Sequence, residues 1–310
     1  MKNKKSIMLF SSLLILIFHL WINIFDRTNN LFEIENFIRK ICYIGVDIFF
    51  FLSSYSISKI EIKNYKKFIL NRFIKIYLVF ILFAIIGTIY LKWDLKTFLL
   101  TISGIELFIK GGGSFLWFVP ALMIIYILLP LFNKIQNKYK IIIMIIIWLL
   151  FTIVISMYTN YNQIFIFTNR IPIILLGYYC SKKCIFDKLD TKKYLILMIL
   201  LLILGIFLIY KFNHITCPYI NDVFYLISIP FIMGLILLTN LIPTNKIIDK
   251  LGSSTLEMYC IQMVFGFKVA SKIYEIFKNA LVSNFITLTL IIFLSVITNY
   301  ILNLMFKNVE

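Results

Sequence analysis

The chain has 310 residues, 61% of them hydrophobic and only 15% charged, with a mean hydropathy of +0.95. A soluble domain is about 45–50% apolar, so this composition excludes a water-soluble globular protein and makes the bilayer the solvent for most of the chain. The net charge of +17 does not point to nucleic acid, because the lysines stand in short connectors beside apolar runs, where they set orientation and meet anionic headgroups.

A spanning helix takes about 20 mostly apolar residues. In chain order the candidates are 6–25, 41–60, 74–91, 115–132, 140–158, 164–180, 194–211, 222–241, 253–273 and 284–306. They predict an all-α fold: a polytopic transmembrane bundle of about ten spanning helices, one unit over residues 1–310. The first run follows Lys2, Lys4 and Lys5 as in a signal peptide. It lacks a small-residue cleavage site and continues through Trp21 to Phe25, so it reads as a retained anchor. Residues 95–109 are too short to span and lie at the surface or re-enter. The ninth run carries Glu257, Gln262 and Lys268 within it. With the N-terminus inside, 20 of the 31 Lys and Arg residues fall on the inner side. That bias predicts cytoplasmic N- and C-termini in the cell membrane.

Charge inside a bilayer costs about 2.5–3.5 kcal/mol on insertion scales, so residues that bear it are functional candidates. His19 lies six residues before the outer end of the first run, Asp47 six after the outer start of the second, and Arg170 six into the sixth. At 1.5 Å per residue each lies about 9 Å below the outer edge, a shared depth that predicts one mutually paired cluster of the three side chains. The first two runs are joined by a short connector and are expected to be neighbours. A carboxylate beside an imidazole fixes its tautomer and raises its basicity, which suits a general base acting on a hydroxyl. The plainer alternative is that His19 and Asp47 pair only to hold two helices together.

Asp47, Ser54 and Ser58 share one helix face, and packing through small hydroxyls is the favoured reading of that stripe. Arg72 and Lys75 stand one turn apart at the inner mouth of the third run. They suit the phosphates of a cytosolic donor or ordinary positive-inside anchoring. In "GGGSFLWFVPALMIIYILLP" the glycines Gly111 to Gly113 give a flexible approach, Trp117 lies at headgroup level and Pro120 falls in the first turns. His214 reads as a loop histidine. The five cysteines form no metal or disulfide framework, since nothing completes a site around Cys180 and Cys184.

These residues together resemble the acyltransferase 3 family of integral-membrane O-acyltransferases, which acylate cell-envelope sugars. "LLILIFHLW" is similar to the family's first helix with its histidine, and "IGVDIFFFLSSYSIS" to its second-helix signature. "FILNRFIKIYLVF" resembles its basic opening of helix three, "SFLWFVPALMIIYILLP" its Leu-Trp-Phe segment, and "NRIPIILLGYYCSK" its Arg-then-Gly helix. "LGSSTLEMYCIQMVF" resembles its late Leu-Gly-x-x-Ser-x-x-x-Tyr-x-x-His segment, in which Tyr259 matches the tyrosine. The resemblance implies transfer of an acyl group, acetyl foremost, from cytosolic acyl-coenzyme A to a hydroxyl of an outer glycan or lipid-linked sugar. Acyl-coenzyme A would be a co-substrate, with no bound cofactor and no metal. It implies His19 as the catalytic histidine, Asp47 as the signature acid, Arg72 and Lys75 as donor contacts, and Trp117, Arg170, Ser54, Tyr259 and Gln262 around the cavity or acceptor. Met8 stands where the family often has arginine, with Lys4 or Lys5 as substitutes. Lys75 stands where a second arginine is common, Ser54 replaces a glycine and Gln262 a histidine. The alternatives are a transporter or flippase of a lipid-linked envelope glycan, whose polar residues would line a route, and a non-catalytic member.

Overall fold

The computed structural model describes residues 3–110, 113–132, 138–158, 166–211, 224–243 and 245–306. His214, Gly111 and Gly112 lie outside them. Every regular element among the described residues is a helix. In a bilayer this follows from the backbone, because each N–H and C=O must find its partner within the segment.

The first helix, α1, covers Lys4–Phe18 and is capped by His19. The expected run continued to Phe25, yet the helix stops here because polar side chains take over its backbone groups. The Glu35 carboxylate accepts the N–H groups of Ile24 and Phe25 at 3.0–3.1 Å. Arg39 donates to Leu20 O at 2.7 Å, and Asn284 holds both Ile22 N–H and Ile22 O. Glu35 and Arg39 belong to α2 (Asn30–Ile41), an amphipathic helix where the sequence suggested a plain connector. Asn29 caps it by accepting from Leu31 N–H, and Leu31, Ile34 and Ile38 are exposed along one face. Helix α3 (Ile44–Ile57) follows at once.

Further on, α4 (Tyr65–Arg72), a π-helix at Phe73–Tyr77 and α5 (Leu78–Leu91) run as one segment. Residues 95–109 fold mainly as two short helices, α6 (Leu95–Ile102) and α7 (Glu106–Lys110). Then come α8 (Phe118–Phe132) and α9 (Lys138–Tyr158). Helix α10 (Ile171–Lys182) starts later than expected, with Arg170 as its N-cap, because Pro172 in the first turn lacks the N–H that would go unused there. The remainder are α11 (Ile185–Lys188), α12 (Thr191–Lys211), α13 (Tyr225–Leu241), α14 (Lys246–Ser253), α15 (Thr255–Phe277) and α16 (Ala280–Phe306). Among the described residues three helical stretches are long and apolar enough to cross a membrane: Tyr65–Leu91, Thr191–Lys211 and Ala280–Met305. Lys268 on α15 sits on the surface, its ammonium 4.1 Å from the Tyr90 ring centroid.

Helix α3 is the hub, packed between α1 and α10 and touching α8 and α13. In lipid, apolar side chains gain little by leaving their solvent, so close packing carries helix association. Gly45 brings α3 so near α1 that an added Cβ would overlap Ser11 O and Ile15. Gly177 does the same for α10, where a Cβ would meet Phe51 O and Ser54 Oγ. Phe50 and Phe51, both fully buried, fill the space around the hub. A second cluster, built on Phe80, Val264 and their neighbours, joins α5 to α15.

Candidate active site

A cavity of about 1000 Å³ follows α1 along its length. Lys4, Met8, Ser12, Ile15 and His19 all line it, at the three- and four-residue steps that mark one helix face. From Lys4 to His19 the helix rises about 22 Å. The opposite walls come from α3, the π-helix, α8 and α15.

Cations gather at the Lys4 end. Asn3 pins the start of α1 by donating to Thr239 O and Ile242 O at 2.5 and 2.6 Å. Lys4, Arg72 and Lys75 line the cavity. Crowding and the Arg72 charge both push the Lys4 ammonium, which precedes the apolar run, below its usual pKa. The Arg72 guanidinium lies 5.4 Å from the Phe68 ring and 5.3 Å from the buried Tyr126 ring, an arrangement that stacks the planar head and leaves its edge for an anion. The π-helix presents the consecutive residues Ile74, Lys75 and Ile76 to the cavity.

At the far end of α1, the His19 ring stands edge-on to Phe18, with centroids 4.8 Å apart. Phe18 in turn packs on Tyr43 at 5.1 Å. Trp117 reaches the same cavity after Leu116, whose φ of 50° places a bulky residue in the left-handed region, a strain of order 1–3 kcal/mol that structures keep where a side chain must be aimed. From α15, Tyr259 and Gln262 also line the cavity. The Tyr259 hydroxyl is buried beside the Phe118 backbone, and Gln262 Nε2 is buried and finds no hydrogen-bond partner among the described residues.

Asp47 pairs with Arg170, one of the two groups expected at its depth, and not with His19. Its Oδ1 lies 3.0 Å from Arg170 Nε, with the two side chains 1% and 3% exposed. The Arg170 guanidinium sits 4.7 Å from the Tyr43 ring, and Ser228 of α13 stands beside the carboxylate. Among the described residues no ion pair joins Asp47 to His19. A fully buried carboxylate needs a full countercharge, and a permanently protonated guanidinium supplies what an imidazole cannot. A chain of contacts links His19 to Asp47 at second hand, through the Phe18 and Tyr43 rings and Arg170. Ser54 also lies off the cavity. Its hydroxyl donates to Phe51 O at 3.0 Å and its face packs on Gly177. Ser58 donates likewise to Tyr55 O, so the Asp47, Ser54 and Ser58 stripe is a helix-packing face. Ser53 and Ser56 line the cavity in its place.

Two groups of residues escaped sequence reasoning. Glu35, Arg39 and Asn284 end α1 and so set His19 at a helix terminus. The signal was present in the i, i+4 pair Glu35 and Arg39. Glu257 counted only against a span, yet it lines the cavity and is 4% exposed.

The His19 side chain, the cationic mouth and the α15 donors thus come from widely separated parts of the chain and share one cavity. A family model described as an acyltransferase domain matches residues 9–304. No curated protein and no solved structure gives a match. The family match embraces each wall of the cavity except Lys4 and Met8, and the chain belongs to the acyltransferase 3 family of membrane acyltransferases.

Proposed function

We propose that the protein is a multi-pass enzyme of the cell membrane that moves an acyl group, acetyl foremost, from cytosolic acyl-coenzyme A to a hydroxyl of an outer glycan or lipid-linked sugar. About ten spans with both termini in the cytosol fit the distribution of basic residues. The observation that carries the reading is one continuous cavity with Lys4, Arg72 and Lys75 at one end of α1 and His19 at the other. The basic end faces the cytosol and takes the donor phosphates. The acceptor enters from the opposite side, past Trp117.

His19 acts as general base. It takes the acceptor proton as the hydroxyl oxygen forms a bond to the thioester carbonyl carbon. The carbon–sulfur bond then breaks, and the imidazolium returns the proton to the departing thiolate. Tyr259 Oη and Gln262 Nε2 donate to the carbonyl oxygen as its negative charge develops, in surroundings where such bonds are strong. Asp47 serves at a remove. Paired with Arg170, it fixes Tyr43 and hence the rings against which His19 rests.

The test is acyl transfer by protein purified in lipid nanodiscs with labelled acetyl-coenzyme A and an envelope glycan acceptor. His19→Ala is expected to lower the rate by about 10²–10⁴-fold while the folded protein is recovered in normal yield. Full activity in that variant removes the assigned base. A thioester that stays intact with the wild-type protein and acceptor removes the enzyme reading and leaves the cavity as a passage for a glycan.

A further inference from the structure

Between the cationic mouth and His19 the cavity wall carries a polar relay that the reaction steps above do not use. Glu257, in the first turn of α15, is 4% exposed. Its Oε1 accepts from Asn299 Nδ2 at 2.9 Å. Asn299 Oδ1 accepts from Asn303 Nδ2 at 3.0 Å, and Asn299 also donates to Ser253 O at 3.3 Å. The Glu257 backbone N–H faces its own carboxyl, and Oε2 has no partner from another residue among the described ones. Glu257, Asn299 and Asn303 all line the cavity. A buried carboxyl oxygen left unpaired costs about as much as a lost hydrogen bond, so it is retained where something else completes it.

The geometry says what that is. A donor anchored by phosphates at Lys4 and Arg72 has about 22 Å of helix between its anchor and His19. Only a long, thin arm covers that distance inside a cavity of about 1000 Å³. Coenzyme A carries such an arm, with two amide N–H groups along it. An oxygen acceptor backed by two carboxamides is the complement of those amides.

We propose that Glu257, held by Asn299 and Asn303, binds the amide-bearing pantetheine arm of the donor and so selects thioesters on that arm over donors lacking it. This rests on the coenzyme A reading given above. Glu257 Oε2 accepts an arm N–H, and the relay fixes the carboxyl by holding Oε1 against α16. Glu257→Gln preserves shape and the Asn299 contact while putting a donor where the arm needs an acceptor.

The experiment compares binding of free coenzyme A with binding of adenosine 3′,5′-bisphosphate, which has a phosphorylated head and no arm, to full-length protein in nanodiscs. Wild type is expected to bind coenzyme A more tightly than the bisphosphate. Glu257→Gln is expected to weaken coenzyme A binding about tenfold and leave bisphosphate binding unchanged, which also shows that the variant is folded. An unchanged ratio of the two affinities, or an equal loss of both, overturns the arm subsite while leaving coenzyme A as donor. Wild-type protein that binds neither molecule overturns the donor reading and this inference with it.

Discussion

Two regions of this molecule gather charge, one buried and one at the cavity mouth, and they hold it in opposite ways. Around Asp47 and Arg170 the charges are matched, 3.0 Å apart and almost wholly buried, with Tyr43 and Ser228 filling the remaining contacts. Around Arg72 the positive charge of Lys4 lines the same cavity mouth, and the Arg72 charge depresses Lys4 rather than neutralising it. A matched pair is complete without a ligand and serves as a fastening between α3 and α10. A group of like charges is incomplete and has affinity to spare. Charge inside a membrane therefore identifies function less well than charge that the protein itself has left unbalanced.

The sharpest break of this contrast is Asp47→Ala. It strands Arg170 in the interior and is expected to cost about 3–5 kcal/mol, read as a fall in unfolding midpoint and in membrane yield. Changing both partners, Asp47→Leu with Arg170→Met, is expected to recover most of that loss. A double variant as unstable as the single one would mean the pair does more than fasten. Next comes Gly177→Ala, which pushes a methyl into Phe51 O and Ser54 Oγ. It is expected to cost about 1–3 kcal/mol and to loosen the same fastening with both charges intact. On the other side, Arg72→Ala is expected to weaken coenzyme A binding about tenfold with the unfolding midpoint held, where loss of stability would place Arg72 with the fastenings. The smallest effect is expected from Glu35→Gln, which keeps one acceptor for the Ile24 and Phe25 N–H groups but loses the charge, about 1 kcal/mol. Its signature is a fall in acyl transfer rate at unchanged coenzyme A affinity, since the loop it holds follows His19.

Much of this was legible in the sequence. The apolar runs fall where helices form, because hydropathy and backbone satisfaction in lipid are local demands. Arg72 and Lys75, one turn apart, were bound to share a side of their helix. The choice of Arg170 over His19 as the partner of Asp47 was not legible in the same way, although all three were read at one depth. Periodicity gives the face of a helix but not which helix meets it, and Arg170 is more than 120 residues away. The end of α1 was hidden for a related reason. Residues 20–25 are as apolar as those before them, and the groups that interrupt the ladder come from α2 and α16. Glu257 looked like a flaw in a spanning run because a sequence displays the cost of a buried carboxyl and not its compensation by Asn299. Tyr259 entered through family resemblance alone, since a tyrosine is not unusual on an apolar helix, and Gln262 stood out in the sequence only as a polar residue within the ninth run.

The π-helix at Phe73–Tyr77 has a consequence for how the cavity mouth and the helix body are connected. A π-turn accommodates one residue beyond the ordinary α count, so the segment from Tyr65 to Leu91 carries a spare position just past Arg72. Excising a single residue there would return the turn to the ordinary α count, with the basic turn still on its side of the axis and α5 still seated against α15. The turn thus absorbs a change of length, and the charged collar keeps its bearing when the segment beside it is one residue shorter.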